Sequence, residues 1–180
     1  MLSIRSLFLL VLLPATVFGA VGDVEKDISD IEAFVTALGD SLAKFDGHSA
    51  SGLAQALAIH NDTLNLDIAI QKATNDTKAA PGPVGIDEAQ AILAKFKEFQ
   101  PTIIAALDSV VAKKSDFKAV PIFGVPTIVK TDLTSLNAST KAFEGALIAK
   151  TPAQLVPGAQ QLVVPVDDAF GRAVSAYKEF

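Results

Sequence analysis

Residues 86–112, IDEAQAILAKFKEFQPTIIAALDSVVA, decide the fold class. At about 100° per residue, Ile86, Ala89, Leu93, Phe96, Gln100, Ile103, Ile104, Leu107 and Val111 fall on one face. The apolar arc is roughly 140° wide, broader than the seam of a two-stranded coiled coil. Glu88, Lys95, Glu98 and Lys113 lie outside it. Gly85 stands at the N-cap, Asp87 and Glu88 occupy the first turn, and Lys113-Lys114 follow the last. This charge order matches the helix dipole. The stretch therefore reads as a core helix. Gln100 and Pro101 interrupt its pattern. Pro101 cannot donate to the carbonyl of Lys97, and the Gln100 amide or a water is expected to satisfy that group.

Before this helix, Lys78–Gly85 (KAAPGPVG) is a breaker. A helix precedes it, capped by Ser49 or Ser51 and running to about Thr77. Its Leu53, Leu57, Leu64 and Ile68 form one apolar row, and Ile59, Leu66 and Ile70 form a second, roughly 120° away. His60, Thr63 and Asp67 lie between the rows, with Gln71 at the edge. This polar strip is expected to face inward. It would serve either as a self-satisfied buried network or as part of a cavity wall.

Further back, Val24, Ile28, Ile31, Phe34, Val35, Leu38, Leu42 and Phe45 recur at spacings of three and four. They predict a helix over 20–45, closed by Asp46-Gly47 with Gly47 as a left-handed cap. Asp23, Glu25, Asp27 and Asp30 match the positive end of its dipole. Before that, Met1–Gly19 has a basic n-region (Arg5), an apolar run (Leu7–Leu13) and small residues before Ala20. That pattern predicts an export signal over 1–19 and a domain over 20–180. The apolar run is shorter than the roughly 20 residues a membrane span needs.

On the other side of residues 86–112, Ser115–Pro126 (SDFKAVPIFGVP) reads as a loop or short broken helix. Phe117, Ile122, Phe123 and Val125 either close one mouth of the domain or form an exposed apolar lip. A fourth long helix over 127–150 places Val129, Leu133, Leu136, Thr140, Phe143 and Leu147 on one stripe. A last segment opens with Thr151 as cap and Pro152 at the first helical position. It puts Val163, Val166, Phe170, Val174 and Tyr177 on one face, with Pro157-Gly158 as a candidate break. No segment alternates with a period of two. The fold class is thus all-α, an antiparallel five-helix bundle with an apolar interior. Four of its helices have about 22–28 residues, roughly 33–42 Å, and short links favour antiparallel neighbours.

Charge and composition limit the function. The chain has 15 Lys and Arg against 20 Asp and Glu, a net −5 that becomes −6 when Arg5 leaves with the signal. This argues against nucleic acid and against anionic membranes as partners. No second long apolar run predicts membrane insertion, and the ending SAYKEF carries no tail for a lipid anchor. With no cysteine, an exported chain must stand on packing alone. Sequons at Asn61, Asn75 and Asn137 are candidate glycan acceptors.

No catalytic group, metal site or cofactor is expected. His48 and His60 are the sole histidines, and Asp67 is two turns from His60, too far for a hydrogen bond. Nucleophile elbows, phosphate loops and dinucleotide fingerprints are missing. What remains is an apolar interior with isolated polar groups, the composition that suits a fatty acid or other amphiphile. Leu38, Leu57, Leu64, Phe96, Ile103, Leu107, Leu136, Phe143 and Phe170 are the candidate tail contacts. His60, Thr63, Asp67, Gln100 and Thr140 are the candidate head contacts.

Four stretches resemble the fungal hydrophobic surface-binding protein family, which includes cell-wall galactomannoproteins. They are the spacing from Asp27-Ile28 to Phe45, VAKKSDF at 111–117, LIAKTP at 147–152 and FGRAVSAY at 170–177. The resemblance implies a secreted or wall-associated helical protein that is not an enzyme. It implies adsorption to a hydrophobic surface, recruitment of a secreted esterase, and, as in some members, a fatty acid enclosed in the bundle. Because the chain lacks the Ser/Thr-rich tail of wall-attached members, covalent attachment to the wall is not expected.

Overall fold

The structure, a computed structural model, describes residues 16–180. Residues 1–15 of the expected export signal lie outside it. The elements are α1 (Thr16–Lys44), α2 (Gly52–Ala79), α3 (Ile86–Ala112), α4 (Lys114–Ala119), α5 (Val125–Lys150) and α6 (Val156–Ala176). The described residues form six helices rather than five, because the 115–126 segment contributes the short α4. No strand occurs among the described residues.

The five long helices close into a ring in the order α1, α2, α5, α6, α3 and back to α1. Cross-helix contacts give their directions. Lys72 pairs with Asp27 at 2.5 Å and Ser41 donates to Asp62 at 2.8 Å, so α1 and α2 are antiparallel. His60 meets Asp132 at 2.8 Å and Lys150 donates to the Ala80 carbonyl, so α2 and α5 run parallel. Lys95 reaches Ser29 and Lys113 donates to the Phe45 carbonyl, making α1 and α3 parallel. Arg172 pairs with Asp108 and the Tyr177 hydroxyl donates to Val110 O at 2.9 Å, making α3 and α6 parallel. Lys141 pairs with Asp167 at 3.2 Å, while Lys130 near the start of α5 donates to Lys178 O beyond the end of α6; these two are antiparallel. Direction thus alternates along the chain, yet three of the five lateral contacts are parallel. The expectation that chain neighbours pack side by side fails for α2 with α3 and for α3 with α5. A wide apolar arc must be covered from two sides, and the ring does this only by threading across itself.

Local chemistry explains the boundaries. The Gly85 amide donates to Glu88 Oε2 at 2.9 Å, opening α3 at the expected residue. Ser51 holds the α2 N-cap position but makes no side-chain cap bond. Gly47 is not left-handed; that conformation belongs to Gly82 and Gly124. Its requirement is spatial, since a Cβ at Gly47 would stand 1.7 Å from the Asp116 carbonyl oxygen. Thr151 ends α5 instead of opening α6, and its hydroxyl donates back to Leu147 O. Pro157 sits in the first turn of α6, where a missing amide costs nothing, so it starts that helix rather than breaking it. Pro101 and Pro165 are both exposed.

One end of the ring is sealed by aromatic packing. The Phe45 and Phe117 rings lie 4.4 Å apart, and Tyr177 meets Phe117 edge-on at 6.5 Å. All three are buried, so Phe117 closes the mouth, while Ile122 and Phe123 beside it project into solvent.

Candidate functional site

The ring encloses two adjoining apolar cavities of about 50 Å³ each. The upper one lies beneath the Phe117 seal and takes Leu38 from α1, Ile59 and Thr63 from α2, Leu107 from α3, and Asp132 and Leu133 from α5. The lower one is lined by Ile28, Phe96, Phe99, Thr140 and Phe143 among others. Val35, Leu66, Ile103, Leu136 and Phe170 line both and form the waist between them. Each of the five long helices contributes one waist residue.

Helical periodicity explains the convergence. Along α5, Val129, Leu133, Leu136, Thr140 and Phe143 are buried at steps of three and four. Along α2, Ile59, Thr63, Leu66 and Ile70 do the same. The Thr63 hydroxyl donates to Ile59 O at 2.8 Å within its own helix. Its remaining capacity is as an acceptor.

The polar feature of the upper cavity is Asp132. It lines that cavity and also a smaller lateral one between α2 and α5, where His60, Leu57 and Ile128 lie. Its carboxylate is bonded to His60 Nδ1 at 2.8 Å. Burial pushes the Asp132 carboxyl above its ordinary range, and the His60 hydrogen bond and charge oppose that shift. Asp67 adds to the upward push. Elsewhere, burial and the nearby Asp167 raise Glu144 on α5 to about 8, and one of its oxygens has no partner.

Of the residues singled out from sequence, Leu38, Thr63, Phe96, Ile103, Leu107, Leu136, Thr140, Phe143 and Phe170 surround the paired cavities. His60 borders the lateral cavity and reaches the upper one through Asp132. Four others stand elsewhere. Leu64 is on the outer surface and Leu57 is exposed at the lateral cavity. Asp67 accepts a bond from Gln71 outside both central cavities. Gln100 donates to Leu162 O on α6 at 2.5 Å, not to Lys97 O. The α2 error has one cause. Its two apolar rows are not both core: the Ile59–Leu66–Ile70 row turns inward, and Leu57, Leu64 and Ile68 turn outward. The polar strip therefore lies at the helix margin, with Thr63 alone of its members buried. Asp132 carried no local signal, because its partner is 72 residues away. The stepwise apolar pattern around Val35, Ile59 and Leu66 was visible but did not say which core residues border a void.

Among the described residues, no group of His, Cys, Asp and Glu side chains is arranged to hold a metal, and no helix is long and apolar enough to cross a membrane.

The profile of the family described as hydrophobic surface binding protein A matches residues 21–149, well over half of the chain. The chain belongs to this family. Its fold is also that of solved structures. It superposes with a TM-score of 0.80 at 27% identity on AFMP4P in complex with palmitic acid, over 87% of this chain and 99% of that one. Ligand binding domain 1 of the Penicillium marneffei MP1 protein, complexed with arachidonic acids, gives a TM-score of 0.78 at 19% identity, over 88% and 98% of the two chains. Domain 2 of the same protein, also with arachidonic acids, gives 0.74 at 18%, over 85% and 90%. A curated relative, cell wall mannoprotein 1 of Aspergillus fumigatus, is 24% identical over 152 residues. The matched region is 84% of this chain but half the length of that relative.

Proposed function

We propose that this family member is a secreted or wall-associated protein without catalytic activity that carries one long-chain fatty acid or similar amphiphile inside the helical ring. The observation that carries this reading is the waist. One side chain from each of five helices separates two apolar cavities, in a fold shared at 27% identity with a palmitate complex. Pockets for drug-sized ligands have volumes of roughly 300–1,000 Å³, so about 50 Å³ on either side of the waist is a starting gap, not the finished site. Uptake requires the waist side chains to move aside and the ring to widen. Asp132 and Phe143 mark the polar and apolar ends of the path. They are eleven residues apart on α5, about 16 Å of helix rise, which suits a long alkyl tail.

The head group belongs at the α2–α5 seam, where Thr63 and Asp132 give the upper cavity its polar edge and His60 stands behind Asp132. Asp132, held toward its protonated form by burial, repels a carboxylate less than an ordinary aspartate does. Residues 1–19 act as the export signal and 20–180 as the binding domain. Asn61 and Asn75 are exposed and are the favoured glycan acceptors, whereas the side-chain oxygen of Asn137 is buried.

Native purification followed by solvent extraction and mass spectrometry tests the reading. A stoichiometric long-chain acid is expected, together with saturable displacement of a fluorescent fatty acid. Absence of both refutes it. A second role, adsorption to hydrophobic surfaces, is favoured by the outward-facing Leu57, Leu64 and Ile68. Recruitment of a secreted esterase follows only if that adsorption occurs.

A further inference from the structure

Nine large apolar side chains are prominently exposed among the described residues, and five of them form one belt. Leu57, Leu64 and Ile68 run along the outer face of α2, at steps of seven and four residues. Ile128 of α5 adjoins Leu57 at the lateral cavity, and Phe34 of α1 adjoins Ile68 across the groove between α1 and α2. Their exposures range from 38% for Phe34 to 66% for Ile68.

The Ser51–Gln71 part of the outer face, which holds Leu57, Leu64 and Ile68, carries no exposed charge. From Ser51 to Gln71 the exposed residues of this segment are Ser, Ala, Leu, Asn, Ile and Gln. The acids within that span are half-buried and engaged: Asp62 accepts from Ser41, and Asp67 from Gln71. In a chain that is 19% charged, an outer helix face with apolar and amide groups alone is matched to an uncharged apolar surface. The charges that border the belt lie at its Phe34–Ile68 end, where Lys72 is paired with Asp27 and Asp76 and Asp30 with Lys26, so a charged partner face would have to compete with pairs already made.

We propose that this α1–α2–α5 belt is the face by which the protein lies down on an uncharged, water-insoluble surface, and that bulk attached at Asn61 masks it. The proposal rests on the adsorption role given above and says where it resides. Asn61 lies between Leu57 and Leu64 on the same outer face, is exposed, and begins a glycan sequon. A glycan there would hold the belt off a surface while leaving the interior cavities untouched.

Depletion of unglycosylated protein onto uncharged polystyrene beads tests this. The variant Leu57→Ser/Leu64→Ser/Ile68→Ser should need about ten times more bead area for half depletion. Ile122→Ser/Phe123→Ser and Val164→Ser, exposed elsewhere, should shift it less than twofold. All these side chains are at least 45% exposed, so the fold should survive, and circular dichroism verifies it. Because the chain has no cysteine, Asn61→Cys gives a single attachment point for a maleimide polymer. That conjugate should adsorb as weakly as the triple variant, and a Gln160→Cys conjugate on α6 should adsorb like the parent. If the parent protein is not depleted at all, the adsorption role itself falls. If the parent is depleted and the triple variant or the Asn61→Cys conjugate equals it, adsorption stands and the belt is overturned. A dimer that the triple variant abolishes without change in bead depletion assigns the face to a second copy and likewise overturns the proposal.

Discussion

Leu136→Ala tests the paired cavity most directly. Leu136 is 5% exposed and lines both voids, so truncating it joins them. Loss of three buried carbons costs about 2.4 kcal/mol at ~0.8 kcal/mol each. Rigid neighbours already border empty space and will not collapse fully. A residual void of roughly 50 Å³ at about 24 cal/mol per Å³ adds about 1.2 kcal/mol. The total, about 3.5 kcal/mol, corresponds to roughly 7–14 °C in melting temperature for a chain of this size. A palmitate-bound chain should recover much of this, because ligand at 100 times Kd contributes about 2.7 kcal/mol. Leu136→Ala also removes one of the five side chains that the ligand must push aside. Its ligand-induced rise in melting temperature should therefore exceed that of the parent. Leu42→Ala is the control: Leu42 is fully buried on α1 but borders neither cavity. It should lose comparable stability and show only the parent's ligand response. Thermal melts of the three proteins, with and without palmitate, decide the matter. Equal ligand-induced shifts in Leu136→Ala and Leu42→Ala would refute the assignment of the waist as the binding path.

Other outcomes follow from the same structure. Glu144 is raised from 4.5 to about 8, chiefly by burial. Below about pH 4.5 its carboxyl is protonated in both the folded and the unfolded chain. Between 4.5 and 8 the folded chain holds the extra proton, so this group's stabilising contribution declines as pH rises, by several kcal/mol at most. Glu144→Gln should flatten that decline in urea midpoints measured from pH 5 to 8; an unchanged slope would remove Glu144 as its source. His60→Ala leaves the Asp132 carboxylate without its partner and should cost about 1–3 kcal/mol in chemical denaturation, whereas His60→Gln should restore part of it. Gly47→Ala sets a methyl against the Asp116 carbonyl and should cost about 1–3 kcal/mol or more; a neutral effect would mean that the α1–α4 junction yields freely. Gln100→Met removes the donor to Leu162 O and should lower stability by roughly 1 kcal/mol.

By itself the sequence determined the helices, because a 3.6-residue period survives in any window long enough to show it. The span 86–112 emerged with its bounds intact, and the buried stripe of α5, Val129 to Phe143, was legible residue by residue. The same periodicity brought nine of the fourteen candidate binding residues to the cavity walls. It failed on α2, where two apolar rows of similar strength left the inward side undecided. A helix records how much apolar surface it has, not which part its neighbours cover. Only the tertiary structure decided that Leu57, Leu64 and Ile68 face water. It also decided that Gln100 serves α6, and that His60 meets an aspartate 72 residues away. These are contacts between elements whose order around the ring is not their order in the chain. They depend on ring closure, which no local spacing encodes.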